Sequence, residues 1–377
     1  MTVISKQEVQ GAIDEYIAAL HPSLRELNLK IHQCPELAYK ERRSHDILCE
    51  FLESQGIPTT RHAYGLETAF EALVGDPPGR RVNFNAEYDA LPEIGHACGH
   101  NLIATASVTA FLGLAFAIKK FGLPGQAQLL GTPAGEDGGG KIDLALKKTS
   151  LSLMMHPMSD EEFIEDRILG IAGQSCNSCY DIIAIYHGFS AHAAASPWEG
   201  VNALGAVVAA YNNISMLRQQ LRPDERVHGA ILQAPSITNA IPELTRTKHR
   251  NTPFVVVQSN EPRLLGARVR QVGFTEYING QGVRLRTIDE GLMAGSTDQG
   301  NVSQIVPALH ALVRIPVSNG VKNHTHEFTD AAESDDAHQR TVIAGKAMAM
   351  TGRGILIDEG FYRDVKDALP VAKGASH

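Results

Sequence analysis

The sequence predicts an α/β protein with a largely parallel sheet, interrupted by a smaller α+β unit. Three observations carry that prediction. Short apolar runs alternate with helix-periodic segments through the first half of the chain, and the alternation restarts in a different pattern after Ser178. The length of 377 residues also exceeds what one hydrophobic core ordinarily holds. The expected division is a larger domain over 1–177, an inserted unit over 178–288, and the remainder of the larger domain over 289–377.

The elements follow in order. From Ile4 to Ile31 apolar residues recur at helical spacing. From Ser44 to Gly56 they do so again, with Ile47, Leu48, Phe51 and Leu52 on one face and Gly56 as the stop. Strands are expected from Ala69 to Val74, Val82 to Ala86 and Ala127 to Leu130, with a helix from Leu102 to Phe121 among them. The inserted unit should hold a strand from Tyr180 to Tyr186, a helix from Gly200 to Leu217, a strand from Gly229 to Leu232, and then a polar, Arg-rich stretch. After Gly295 the chain is again rich in Gly and Ser, and a helix from Ala331 to Met350 closes it.

Composition excludes several classes of function. A net charge of -8 and a pI near 6.1, with no run of Lys or Arg, leave no basic field for nucleic acid. The segment from Ile13 to Leu27 is broken by Asp14, Glu15, Arg25 and Glu26, and no window is expected to approach the roughly 20 apolar residues of a membrane span. A cytoplasmic protein with neither nucleic acid nor membrane as partner is the expectation. The five cysteines, Cys34, Cys49, Cys98, Cys176 and Cys179, are loosely spaced, which suits a reducing compartment better than a disulfide framework.

Two stretches carry chemistry. In His96-Ala-Cys-Gly-His100, the side chains of Cys98 and His100 can aim at one point on an extended backbone. Thiolate and imidazole together suit a borderline-soft cation, zinc first, with manganese or cobalt where carboxylates complete the site. A lone cysteine is more often a small buried hydrophobe, but further donors downstream favour ligation. Glu136, in Gly131-Thr-Pro-Ala-Gly-Glu-Asp-Gly-Gly-Gly-Lys141, sits at a strand end where an acid has no packing role. His156 follows the apolar run Leu151-Ser-Leu-Met-Met155, at a strand's carboxyl end, where sites form in open α/β sheets. Taken alone it reads equally as structural. His324 and His326 share a polar loop, and one of them can close a metal site.

Phe84-Asn-Ala-Glu-Tyr-Asp-Ala-Leu-Pro-Glu-Ile-Gly-His-Ala-Cys-Gly-His-Asn-Leu-Ile103 resembles the M20 metallopeptidases and amidohydrolases, in the branch with the M20 domain-containing protein 2 (aminoacylase-1-like) group. His32 to Leu37, Gly131 to Ala134, Ala191 to Ala203 and Gly295 to Ser303 match family blocks in the same order. The resemblance implies a phosphorylase/hydrolase-like catalytic domain, a ferredoxin-like lid that mediates homodimerisation, and two divalent ions. It implies Cys98, His100, Glu136, His156 and His324 as ligands, and His192 reaching the substrate oxyanion, commonly across the dimer. Asp89 would support the metals, and Asn239, Gly295 and Ser296 would contact substrate.

Two features depart from the family pattern. Two ions about 3.5–4 Å apart acidify a bridging water and polarise a carbonyl, and amide hydrolysis further needs a base worth about 10²- to 10⁴-fold. The family places that base just before the metal glutamate, where this chain has Gly135. Asp137 would face the same side of an extended backbone as Gly135 but is weak evidence of compensation, and Gly135→Glu is expected to raise hydrolysis by about 10²-fold or more. In the lid, Asn239-Ala-Ile-Pro242 leads to Arg246, Arg250 and Arg263, none of which can be assigned to a substrate carboxylate; a solvated lid edge is the plainer reading. Cys176-Asn-Ser-Cys179 has no second pair and reads as incidental. The function expected is hydrolysis of a small N-acyl or peptide-type amide. The alternatives are a repurposed enzyme that condenses or cleaves a carbonyl substrate by Lewis-acid catalysis, and a non-catalytic dimeric binding protein.

Overall fold

A computed structural model describes residues 4–136, 138–144, 149–159, 168–173, 175–177, 180–221, 225–238, 240–252, 274–287, 292–318 and 320–367. The chain divides into two units: Met1–Ser175 with Gln258–Gly291 and Asp298–His377, and Cys176–Val257 with Leu292–Thr297.

In the first unit the helices are α1 (Lys6–His32), α2 (Arg42–Ser54), α3 (His100–Phe121) and the short α4 (Gly140–Asp143). The strands over the same span are β1 (Thr59–Arg61), β2 (Phe70–Val74), β3 (Arg81–Ala86), β4 (Gln126–Gly131), β5 (Leu151–Ser159) and β6 (Ile168–Ile171). Ser5 starts α1 by accepting from the Glu8 amide at 3.1 Å, and Lys30 and His32 in the last turn face the negative end of the helix dipole. The expected strands and helices up to Leu130 are present to within two residues.

Helix α3 is the centre of the core. Ile103, Phe111 and Leu114 are fully buried, each stabilising the fold by about 1.5–3 kcal/mol. This helix overturns one expectation, because it is long and apolar enough to cross a membrane. It is apolar on all sides because protein surrounds it: α1, the sheet and the later helix α9 (Asp335–Ile357) pack around it.

The sheet has eight strands, in the order β1-β2-β4-β3-β5-β13-β6-β11, with β11 (Arg284–Arg286) and β13 (Ala308–Ile315) supplied by the later chain. Its central strands β4, β3, β5 and β13 run parallel, while β1 with β2, β2 with β4, and β13 with β6 are antiparallel. Helices α6 (Thr275–Gly280), α7 (Gln299–Ser303), α8 (His326–Glu333), α9 and α10 (Glu359–Asp367) complete the unit.

Three boundaries differ from expectation. Strand β11 pairs with β6, and Tyr277 and Ile278 of α6 are buried in the main core, so the stretch 274–286 belongs to the larger unit rather than to an insertion ending at 288. The closing helix is two helices, α8 and α9, because the Ser334 side chain caps a new start by accepting from the Ala337 amide. Strand β5 continues past His156 to Ser159. Pro157 is tolerated there because β3 pairs only as far as Leu153, leaving β13 as the partner.

The second unit contains β7 (Ser175–Asn177), β8 (Tyr180–His187), α5 (Ala203–Met216), β9 (Arg226–Gln233), β10 (Leu244–Thr252) and β12 (Leu292–Ser296). An antiparallel sheet, β8-β10-β9, packs against α5, and β7 pairs with β12. Arg246 therefore lies on the central strand of that sheet, not on a lid edge, and its side chain is exposed. Arg250 shares the strand, whereas Arg263, Asn239, Asp137 and Cys179 fall outside the described residues.

Candidate metal centre

Three adjacent parallel strands bring the chemistry together, β3 and β4 at their carboxyl ends and β5 three residues before its own. Strand β3 leads into Glu87 and Asp89, β4 leads into the Gly-rich loop with Gly135 and Glu136, and β5 carries His156. Cys98 and His100 are joined by Gly99, which has φ +75°; a Cβ there would stand 2.4 Å from Pro157 Cγ. Only glycine allows both that backbone conformation and the close approach.

The five residues expected as ligands converge. Cys98, His100 and His156 form one group, and Cys98, Glu136 and His324 a second, with the donor atoms of each within 4.8 Å of one another. Cys98 Sγ is 3.2 Å from His156 Nε2 and 3.4 Å from His324 Nε2. Glu136 Oε1 is 3.4 Å from His100 Nε2 and 3.7 Å from His324 Nε2. Donors about 2.0–2.3 Å from one ion stand about 3.3–3.7 Å apart at tetrahedral angles. The donor set and its spacing therefore fit divalent ions. His326 begins α8, while His324, at φ +67° and bonded through its amide to Ala97 O at 2.8 Å, joins the cluster. A non-glycine residue in that region is held there by its surroundings, as functional sites often require.

Neighbouring groups set the imidazole roles. His100 Nδ1 lies 2.9 Å from Asp89 Oδ1, leaving Nε2 towards the cluster. Burial opposes charge on this pair, but Asp89 and then Glu87 raise His100, and His100 in turn holds Asp89 below the usual carboxylate range. Asp89 also accepts from the Gly135 and Glu136 amides at 3.0 and 2.9 Å, tying the Gly-rich loop to the same carboxylate. Glu41 Oε1 accepts from the Ala134 amide at 2.9 Å and fixes the start of that loop. Burial, followed by His310 and His100, pushes His156 down to about 3. Its Nδ1–H donates to Pro157 O at 2.8 Å, which leaves the Nε2 lone pair free for a cation. Burial and Glu136 push the Cys98 thiol up, a direction that a bound divalent ion would reverse.

Four residues that sequence reasoning left without a role stand beside the cluster. Glu87 is buried, with Oε2 3.6 Å from His100 Nε2. Lys141, only 1% exposed, forms ion pairs with Glu87 and Asp298, and its amide donates to Asp298 Oδ2 at 3.1 Å. Lys141 overcomes the burial penalty on Glu87 and holds it down at about 2, while burial dominates at Asp298 and raises it. His310 on β13 has its ring centroid 5.8 Å from that of His156. The first three lie in the motifs already quoted, and a charged residue in a Gly-rich or apolar block was the available signal.

Gly135 has a structural counterpart. A Cβ at this position would lie 2.6 Å from Glu87 Oε1 and 2.7 Å from its Cδ, so the Glu87 carboxylate occupies the space that a side chain here would enter. In the second unit, His192 Nδ1 accepts from the Ala194 and Ala195 amides at 3.2 and 3.0 Å, and Gly295 and Ser296 lie exposed on β12.

Comparisons with known proteins follow the same line. No family model matches the chain. The mouse Xaa-Arg dipeptidase is 36% identical over 388 residues, covering 90% of this chain and 87% of its own length. The human Xaa-Arg dipeptidase is 35% identical over 398 residues, covering 90% and 88% respectively. Among solved structures, a dinuclear metal-binding peptidase of the M20 family from Bacillus subtilis superposes with a TM-score of 0.57 at 16% identity, over 90% of this chain and 99% of its own. The dipeptidase identity extends over nine-tenths of the chain and the solved M20 peptidase shares its fold, and on that evidence the chain belongs to the M20 family of metallopeptidases and amidohydrolases.

Proposed function

We propose that this enzyme is a metal-dependent dipeptidase that hydrolyses short peptides ending in a basic residue. The carrying observation is the 36% identity to an Xaa-Arg dipeptidase over 90% of the chain. The five-donor cluster supports it. Cys98, His100 and His156 would hold one divalent ion, and Cys98, Glu136 and His324 a second, with zinc or manganese favoured and cobalt also suited to the donors. Bound there, the ions would supply an acidified water and a polarised amide carbonyl.

The remaining work falls to the chain. Asp89 orients His100 and anchors the loop that carries Glu136. Lys141 keeps a buried positive charge next to Glu87, balancing the carboxylates around the opening. His192, proposed to reach the oxyanion, uses Nδ1 as an acceptor, so its remaining proton lies on Nε2 as a donor. Asp137 remains the proposed proton acceptor in place of the residue absent at Gly135.

A homodimer formed through the second unit belongs to the same reading, since Ile183, Phe189, Trp198 and Val201 expose apolar surface there, Trp198 to 77%. A cytoplasmic setting suits the free thiols of Cys34, Cys49 and Cys98. The names of the relatives favour hydrolysis, and no observation singles out a condensing enzyme or a binding protein.

The test is turnover by zinc- or manganese-loaded protein of dipeptides ending in Arg or Lys, beside dipeptides ending in Ala and N-acetyl amino acids. Preferential cleavage of the basic dipeptides is expected. Faster cleavage of the N-acetyl amino acids would move the assignment to an amidohydrolase, and no metal-dependent cleavage of any of them would refute it.

A further inference from the structure

We infer that Glu87 is a direct carboxylate donor to the first metal ion, entering the site through the space that Gly135 leaves open. The inference rests on the dinuclear reading of the cluster. Three donors, Cys98, His100 and His156, form the first group, and a catalytic ion that also keeps a water can expand to five-coordinate, which leaves room for one more donor. Glu87 Oε2 is 3.6 Å from His100 Nε2, within the range of 3.2 to 3.7 Å spanned by the other donor pairs of the cluster. The side chain is buried beside His100.

The second observation is Gly135. Its missing side chain is what admits the carboxylate, since a Cβ would meet Glu87 Oε1 at 2.6 Å. Gly135 does not have a positive φ, so no backbone requirement excludes a side chain there. Lys141 holds the other oxygen, Oε1, and fixes the direction in which Oε2 presents its lone pair. The absence of a side chain at 135 and the presence of an acid at 87 are thus two halves of one arrangement.

The experiment titrates the full-length, EDTA-dialysed protein with cobalt(II), read by calorimetry and by the visible d–d absorption that reports coordination number. The wild type should take up two equivalents. Glu87→Gln should weaken one of them tenfold or more and shift its d–d band, leaving the other near its original affinity. Gly135→Ala removes no charge and guards against a folding failure of the first variant. It should weaken the same equivalent, and combining the two should cost little beyond Glu87→Gln alone.

If Glu87→Gln lowers the thermal midpoint of the metal-free protein but leaves both affinities and the spectrum unchanged, Glu87 is only the partner of Lys141 and the inference is overturned. Simple addition of the two losses would overturn it as well. A wild type that takes up no cobalt would bring down the dinuclear reading itself, a distinct result.

Discussion

Restoring a glutamate at position 135 is the most direct question to put to this site, and the structure changes the answer expected from sequence. A Cβ at Gly135 would stand 2.6, 2.7 and 3.2 Å from Oε1, Cδ and Cγ of Glu87. Either the new side chain is deflected or Glu87 leaves Lys141. Breaking a buried ion pair costs about 3–5 kcal/mol. The base that the glutamate would supply is worth about 10²- to 10⁴-fold, or about 3–5 kcal/mol of barrier. The two are comparable, so Gly135→Glu alone should gain less than about tenfold in kcat/KM while the metal-free thermal midpoint falls by roughly 6 °C or more. Glu87→Asp, made in the same chain, keeps a charge facing Lys141 and draws the carboxylate back by one methylene from the space beside Gly135. That double variant, assayed at saturating metal on dipeptides ending in Arg, should recover the midpoint and exceed the single variant by about 10²-fold. A single Gly135→Glu variant that gains 10²-fold with an unchanged midpoint would refute the steric argument.

Further outcomes follow from the same geometry. Cys98→Ala should weaken both metal equivalents because Cys98 belongs to both donor groups, whereas Cys176→Ala should weaken neither, as calorimetry with zinc would show. Asp89→Asn should lower metal affinity by about 10- to 100-fold through misoriented His100 and a loosened Glu136 loop; an unchanged titration would mean that Asp89 orients nothing. His338 is buried with neither ring nitrogen bonded, and burial, helped by His21 and Arg25, pushes it down to about 4 against an unfolded value near 6.5. The unfolded chain therefore binds the proton more readily, so this contribution to stability is complete above pH 6.5 and is lost as the pH falls towards 4. His338→Phe should flatten that acid limb in melts of the metal-free protein, and a limb of unchanged slope would assign the loss to other groups. Light scattering at micromolar concentration should give the mass of a dimer, and Trp198→Asp, on the exposed face of the second unit, should lower it to that of a monomer.

Much was legible in the sequence by itself because it is local. The helix spanning α1, the strands β2 to β4, and the Cys98-Gly-His100 turn follow from periodicity, capping and residue chemistry within a few positions. The resemblance of the motif blocks to the family likewise pointed to the five residues that converge and to Asp89, which the residues taken one at a time did not. The tertiary structure alone decided what depends on residues far apart in the chain. Helix α3 is long and apolar enough to cross a membrane, and only the layers packed around it show that protein encloses it, because a fully enclosed helix and a lipid-embedded one bury the same surface. Strand β11 joins the main sheet through hydrogen bonds to β6, more than a hundred residues earlier, and no periodicity encodes such a partner. Gly135 read as a deletion of function when seen only beside Glu136. In space it is the opening filled by Glu87, 48 residues away and locked by Lys141, because packing compares volumes across the fold while sequence compares only neighbours.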